Sequence, residues 1–302
     1  MILDGMPGRA EKNYPLSSLC TWKIGGAAEN VYWPAAAKDL AEVRRRALEA
    51  DIPVWLIGQG SNILAPDEGL PGITVVTTAL RKIAWGDLSV QVETGYSLAR
   101  LALAAGERGF SGLEFGRGIP GSVGGAVVMN AGANGRDIAS LISNITVLWP
   151  DGTLAKLQKS ELEFSYRHCS LKDRGWILEA GLVFHAGDRQ EILRTMRECL
   201  TFRKLHQPLG QPNAGSVFRN TAGDSAGRLI EAAGWKGKRR GGAQVSVKHA
   251  NFIVNTGEAG AGDVLALIED IQKDVQKKFG IWLHPEVCVL NPGKPDFFEM
   301  TK

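Results

Sequence analysis

The period of the apolar positions changes several times along the chain, and each change predicts an element. In residues 37–50, AKDLAEVRRRALEA, the positions Leu40, Val43, Ala47 and Leu48 recur at helical spacing, and Asp51-Ile52-Pro53 ends the helix. VWLIG (54–58) and ITVVTT (73–78) read as strands, the first running into a Gly/Ser/Asn turn. LSVQVETG (88–95) alternates as a strand does, and SLARLALAAGERG (97–109) has helical spacing with a glycine stop. Two alternating runs around Pro150-Asp151-Gly152 predict a hairpin over 144–157, and 176–184 reads as a further strand. A polar-faced helix over 188–205 leads to Gln207–Asn213, a candidate hinge with two prolines. Beyond it the pattern predicts a helix over 225–234, a strand over 249–255 and a long helix over 261–280. That last helix carries Glu269/Lys273 and Asp274/Lys278 at i,i+4 spacing. The mixture is α+β, in three units: 1–75, 76–187 and 188–302.

Composition narrows the function classes. A chain of 302 residues is too long for one small core. With 44% hydrophobic and 22% charged residues it is neither disordered nor fibrous. Thirty-five basic residues against 32 acidic ones leave a formal charge of +3, no electrostatic case for nucleic acid. Cys20, Cys169, Cys199 and Cys288 lack zinc-site spacing and read as reduced thiols. The opening MILDGMPGRAEKN has no signal-peptide pattern, and no apolar run is long enough to span a membrane. These features predict a soluble cytoplasmic protein without metal, nucleic-acid or membrane partners.

The 37 glycines are clustered, which points to close backbone approach rather than to flexible linkers. Gly58, Gly60, Ser61 and Asn62 follow a strand. They form either an anion-binding nest or a plain tight turn, and no Walker loop or complete G-x-G-x-x-G is present. Residues 116–135 interleave glycines with Ile119, Val123, Val127, Val128 and Met129. This fits an ordered loop leading into a helix against a cofactor, or glycine-mediated packing of helix on sheet. Arg167 can bind a carboxylate through two parallel hydrogen bonds or simply be solvated, and His168 reads as structural. Ser216, among small residues, is either accessible for chemistry or a turn residue, and no hydrolase elbow surrounds it. Lys236, Lys238, Arg239 and Arg240 form a basic cluster, facing solvent or an anionic ligand. Glu286 is an edge residue or an acid with a raised pKa.

Eight segments together resemble the bacterial FAD-dependent UDP-N-acetylenolpyruvoylglucosamine reductases, in the subgroup that lacks the tyrosine-loop insertion. They are TWKIGGAAEN (21–30), IGQGSNIL (57–64), GLEFGRGIPGSVGGAVVMNAG (112–132), SYRHCS (165–170), NAGSVFRN (213–220), AGRLIEAAGWKG (226–237), GGAQVSVKHANFIVN (241–255) and HPEV (284–287). The chain departs from the family pattern at Arg240, Val247 and Cys169.

The resemblance implies a two-subdomain FAD-binding module of the vanillyl-alcohol-oxidase (PCMH) type, followed by a C-terminal α/β substrate-binding domain. FAD would lie against Gly58, Gly60, Ser61 and Asn62, and against Gly118, Pro120, Gly121, Ser122, Gly124, Gly125, Asn130 and Gly132. NADPH would be the reductant and a UDP-sugar enolpyruvate the substrate, with the protein a monomer. Ser216 would donate the proton, Arg167 and Glu286 would hold the substrate carboxylate, and Lys204 and Asn220 would contact the nucleotide. The basic cluster at 236–240 would help cover the diphosphate. The competing readings are another flavin oxidase or dehydrogenase on the same module, and a non-catalytic nucleotide-binding protein.

Overall fold

A computed structural model describes residues 2–293 of the chain. Its first sheet places Gly8–Pro15, Ala27–Pro34, Leu70–Val76 and Val54–Ile57 side by side in that order, the first pair antiparallel and the others parallel. Helix α1, Lys38–Glu49, crosses between parallel strands and buries Leu40, Val43 and Ala47 against Tyr32, Val54, Ile73 and Val75. Leu48, expected on the same face, is 63% exposed. At 100° per residue it lies about 140° round from Val43, beyond the buried stripe.

The second sheet is antiparallel throughout, in the order Leu154–Gln158, Ile142–Leu148, Trp176–Val183, Ser89–Glu93, Ile83–Trp85. Helices α2 (Leu98–Glu107), α3 (Val123–Val128) and α4 (Arg189–His206) share its core, with Leu101, Val127, Ile192 and Met196 all buried there. A Cβ on Gly106 of α2 would stand 2.7 Å from the Met196 Cε, so this glycine lets α2 and α4 close on each other. The apolar face of α4 therefore belongs to the second unit, although the helix begins where the sequence pattern opens the third. Leu148, Trp176 and Leu178 of the second sheet pack into the core of the first and fuse the two units.

The third unit holds the antiparallel strands Arg239–Arg240, Ala243–Val245 and Ile253–Asn255, with α5 (Ala226–Ala232) and α6 (Ala261–Phe279). The strand expected over 249–255 is confined to its last three residues, because the Phe252 N–H turns back to the His249 carbonyl at 3.0 Å. Both expected i,i+4 ion pairs form on α6, Glu269 with Lys273 and Asp274 with Lys278.

This unit docks on the first. The Trp22 indole donates to the Ile253 carbonyl at 2.8 Å, and Asp67 accepts from the Ala261 and Gly262 N–H groups at the start of α6. Cys288–Val289 pairs in parallel with Ile63–Leu64. Among the described residues, no helix is long and apolar enough to cross a membrane.

Candidate active site

A cavity of about 440 Å³ opens where the three units meet. One wall is made of the two glycine loops. The strand Val54–Ile57 delivers Gly58–Asn62, and Gly60 has φ +61° with its missing Cβ pointing 2.0 Å from the Leu19 carbonyl oxygen. Only glycine tolerates both conditions. The second loop ends at Ser122, which caps α3 by accepting the Gly125 N–H at 3.3 Å.

The two loops, 59 residues apart, interlock through their serines and glycines. The Ser61 hydroxyl donates to the Pro120 carbonyl at 3.1 Å. A Cβ on Gly121 would meet the Ser61 Oγ at 2.9 Å, and one on Gly58 would meet the Ser122 Oγ at 2.4 Å. A Cβ on Gly124 would strike the Thr94 hydroxyl. Gly125 is different: a Cβ there meets nothing closer than the Ser122 Oγ at 3.5 Å, yet the residue lines the cavity from within a helix. Alanine would favour that helix by about 1 kcal/mol. Protein packing therefore does not demand this glycine, whereas an occupant of the cavity pressed against the wall would.

The opposite wall carries side-chain chemistry. Arg167 sits at the tip of a hairpin, Phe164–Ser165 paired with His168–Cys169, and has φ +57°. Its Nε donates to the Glu286 Oε1 at 2.7 Å, with both side chains largely buried. Ser216 follows Gly215, whose φ is +80° and whose N–H donates to the Asn213 side chain at 2.9 Å. Buried Asn251 then fixes the next residues, accepting from the Phe218 N–H at 2.9 Å and donating to its carbonyl at 2.8 Å. The Glu286 N–H donates to the Val217 carbonyl at 2.7 Å, which seats the carboxylic acid beside the serine segment. Burial pushes the Glu286 pKa above the usual carboxylate range, and the Arg167 and Arg219 guanidinium groups pull against that. Arg219 itself has a buried Nε without a partner.

Of the residues expected at the cofactor, Gly58, Gly60, Ser61, Asn62, Pro120, Gly121, Ser122, Gly124, Gly125 and Gly132 line the cavity. Gly118 and Asn130 do not. The Gly118 carbonyl accepts from Arg203, and the Asn130 amide donates to the Asp137 carboxylate and to the Ser165 carbonyl, bracing the Arg167 hairpin. Arg167, Ser216 and Glu286 all face the cavity.

Lys204 and Asn220 lie outside its lining. Lys204 is exposed, and the Asn220 side chain accepts the Ala226 N–H at 3.1 Å at the start of α5. His168 is exposed as well.

The basic cluster expected to help cover a diphosphate also lies outside the cavity lining. Lys236 pairs with Glu231, Lys238 lies over the Trp235 ring, and Arg240 grips Asp270 with two nitrogens, which accounts for arginine at that position. Val247, the other departure in this region, is 70% exposed.

Arg203 escaped the sequence pattern, hidden in the run RKLH. It lines the cavity, its pKa is lowered by burial, and its Nε donates to the Gln207 side chain at 2.7 Å. Among the described residues it has no carboxylate partner, which suits it to an anionic ligand.

Comparison with known proteins agrees with this architecture. Residues 28–158 match an FAD binding domain family, and residues 207–290 match the C-terminal domain of UDP-N-acetylenolpyruvoylglucosamine reductase. The chain is 44% identical to UDP-N-acetylenolpyruvoylglucosamine reductase 2 of Symbiobacterium thermophilum, covering 96% of this chain and 95% of that one. It is 42% identical to the corresponding reductase of Bacillus subtilis, over 95% and 96%. The crystal structure of UDP-N-acetylenolpyruvylglucosamine reductase from Thermus caldophilus superposes with a TM-score of 0.81 at 36% identity, covering 95% of this chain and all of that one. Likeness at this level runs through both walls of the cavity, and the chain belongs to the UDP-N-acetylenolpyruvoylglucosamine reductase family.

Proposed function

We propose that the protein uses NADPH to reduce UDP-N-acetylglucosamine enolpyruvate to UDP-N-acetylmuramate, a step of peptidoglycan precursor synthesis, with FAD held in the cavity. The single observation that carries this reading is the convergence of Ser216, Arg167 and Glu286 on a cavity whose other wall is two interlocked glycine loops. That wall fits a flavin nucleotide: Gly58, Gly60, Gly121, Gly124 and Gly125 expose backbone where a flat ring or a diphosphate would lie, and Gly125 keeps open a space that a methyl group would fill. When bound, FAD supplies hydride transfer from NADPH to the terminal vinylic carbon of the substrate.

The protein's own residues manage the charge that this addition creates. Hydride addition to an enol ether places negative charge on the neighbouring carbon, and the adjacent carboxylate accepts it as an enolate. Arg167 holds that carboxylate, two N–H groups to two oxygens. To do so it exchanges Glu286 for the substrate. Glu286 then loses a neutralising partner and gains an anionic neighbour, and both changes favour its protonated form. A protonated Glu286 donates a hydrogen bond to the enolate oxygen, where a second anion would oppose it. Ser216 gives its hydroxyl proton to the carbanionic carbon and recovers one from solvent. Its modest acidity is offset by the basicity of the enolate and by fixed positioning.

Arg203 supplies a positive charge in the cavity lining for a phosphate, one residue before Lys204, which with Asn220 lies outside that lining. Nucleotide substrate and NADPH both support a cytoplasmic setting.

An anaerobic two-step spectrum tests the proposal. NADPH should bleach the flavin of the purified holoprotein, and the enolpyruvyl nucleotide should restore its colour with formation of UDP-N-acetylmuramate. Intact flavin that is bleached but never recoloured by the substrate would reject the reading. Hydrogen peroxide release in air, indifferent to that substrate, would indicate an oxidase instead.

A further inference from the structure

Asn62 stands in the first glycine loop, where the resemblance assigns it to the cofactor, yet its hydrogen bonds run to the segment that carries Glu286. Its carbonyl accepts the Cys288 N–H at 3.0 Å, and its side-chain amide donates to the Glu286 carbonyl at 3.1 Å. The parallel ladder begins only at Cys288 and Val289, opposite Ile63 and Leu64, so Glu286 lies ahead of the regular pairing and has no strand neighbour on this side. On its other side the Glu286 N–H is held by Val217, next to Ser216. The acid's main chain is thus pinned between the serine segment and the glycine loop, and the second pin is a side chain.

The pin gains importance once substrate is bound. In the structure the Glu286 carboxyl is also tethered by Arg167 at 2.7 Å. A substrate carboxylate on Arg167 removes that tether. The two main-chain bonds, from Glu286 to Val217 and from Asn62 to Glu286, then define where the carboxyl stands.

We propose that Asn62 is a positioning residue for the acid: its amide fixes the main chain of Glu286 so that the carboxyl meets the substrate carboxylate beside Ser216. The inference rests on the reduction proposed above and adds a residue that acts through Glu286 rather than on the substrate.

The experiment uses holoprotein saturated with FAD and follows the two steps separately, in wild type, Asn62→Ala, Glu286→Gln and the double variant. Displacing an acid by an ångström costs about 10²-fold in rate. Asn62→Ala should slow recolouring by the enolpyruvyl nucleotide by about that factor, at least tenfold more than it slows bleaching by NADPH. In the Glu286→Gln background it should slow recolouring by less than about twofold, because a lost carboxylic acid no longer needs placing.

Calorimetric binding of UDP-N-acetylmuramate gives a readout independent of turnover: Asn62→Ala should weaken it in the wild-type background and leave it unchanged beside Glu286→Gln. Asn62→Asp keeps the size, removes the donor and should reproduce the defect, which covers poor folding of the alanine variant. Equal slowing of both steps, or full additivity with Glu286→Gln, overturns the inference. A wild-type protein that fails the second step overturns the proposed function instead, so the two failures are distinguishable.

Discussion

The two walls of the cavity are built on opposite terms. In the glycine wall, side chains are removed so that backbone can come close: Gly60 to Leu19, Gly121 to Ser61, Gly58 to Ser122. In the polar wall, side chains are what count, and the backbone serves to hold them, as Val217 and Asn251 do for the segments carrying Glu286 and Ser216. A substitution in the first wall should therefore act on how the loops close and, at Gly125, on what the cavity can hold, and one in the second on what happens there. The split also follows the chain, since the glycine wall comes from the first two units while two of the three residues proposed to act on the substrate, Ser216 and Glu286, come from the third.

The largest effect that sharpens this contrast is expected from Ser216→Ala. Loss of a positioned proton donor costs about 10²- to 10⁴-fold. Recolouring of reduced flavin by substrate should slow by that order, while bleaching by NADPH stays near normal. Stopped-flow absorbance separates the two steps, and equal losses in both would erase the distinction between the walls.

Gly125→Ala should do the reverse. The apoprotein gains about 1 kcal/mol of helix propensity. A methyl group forced into an occupied site costs about 1–3 kcal/mol, or roughly tenfold in FAD affinity. Thermal melting of the apoprotein and titration of FAD should thus move in opposite directions. Unchanged FAD affinity would make this glycine a packing residue like Gly124.

A smaller effect concerns the pH dependence of the polar wall. In the proposed mechanism Glu286 acts in its protonated form, so the second step should decline as pH rises through its pKa, which burial places above the ordinary carboxylate range. Arg219 opposes that shift. Arg219→Gln should therefore raise the pKa further and move the alkaline limb of the single-turnover profile to higher pH. A limb that moves the other way would mean that the ionised carboxylate is the working form.

The glycine wall was legible in the sequence because clustered glycines interleaved with apolar residues carry a local signature. Ten of the twelve residues expected to hold the cofactor do line the cavity. Gly118 and Asn130 share the signature but spend their polar groups on Arg203, Asp137 and Ser165. The polar wall was not legible locally: Arg167, Ser216 and Glu286 sit in unremarkable turns, and only the family resemblance brought them together.

Long-range pairing explains the rest. Nothing near Asn62 announces a bond to a residue 224 positions away. The first two strands, Gly8–Pro15 and Ala27–Pro34, also carry no local signature. The outer one is mostly exposed, with residues such as Glu11 and Lys12 in place of apolar alternation, so its existence depends on its partner. The reverse holds for α4, whose helical character was plain while its allegiance to the second unit was set by contacts with Gly106 of α2.

The parallel pairing of Cys288–Val289 with Ile63–Leu64 has a bearing on biosynthesis. A chain leaves the ribosome N-terminus first, and its domains fold as they emerge. The loop that receives Glu286 is translated early, whereas the acid itself follows 224 residues after Asn62. The loop therefore waits for its late partner before the cavity wall is complete, and on the proposed mechanism the reaction waits with it. A message truncated shortly before codon 286 would remove the acid together with the strand that braces Ile63–Leu64, so early termination should cost the loop its support as well as the reaction its proposed acid.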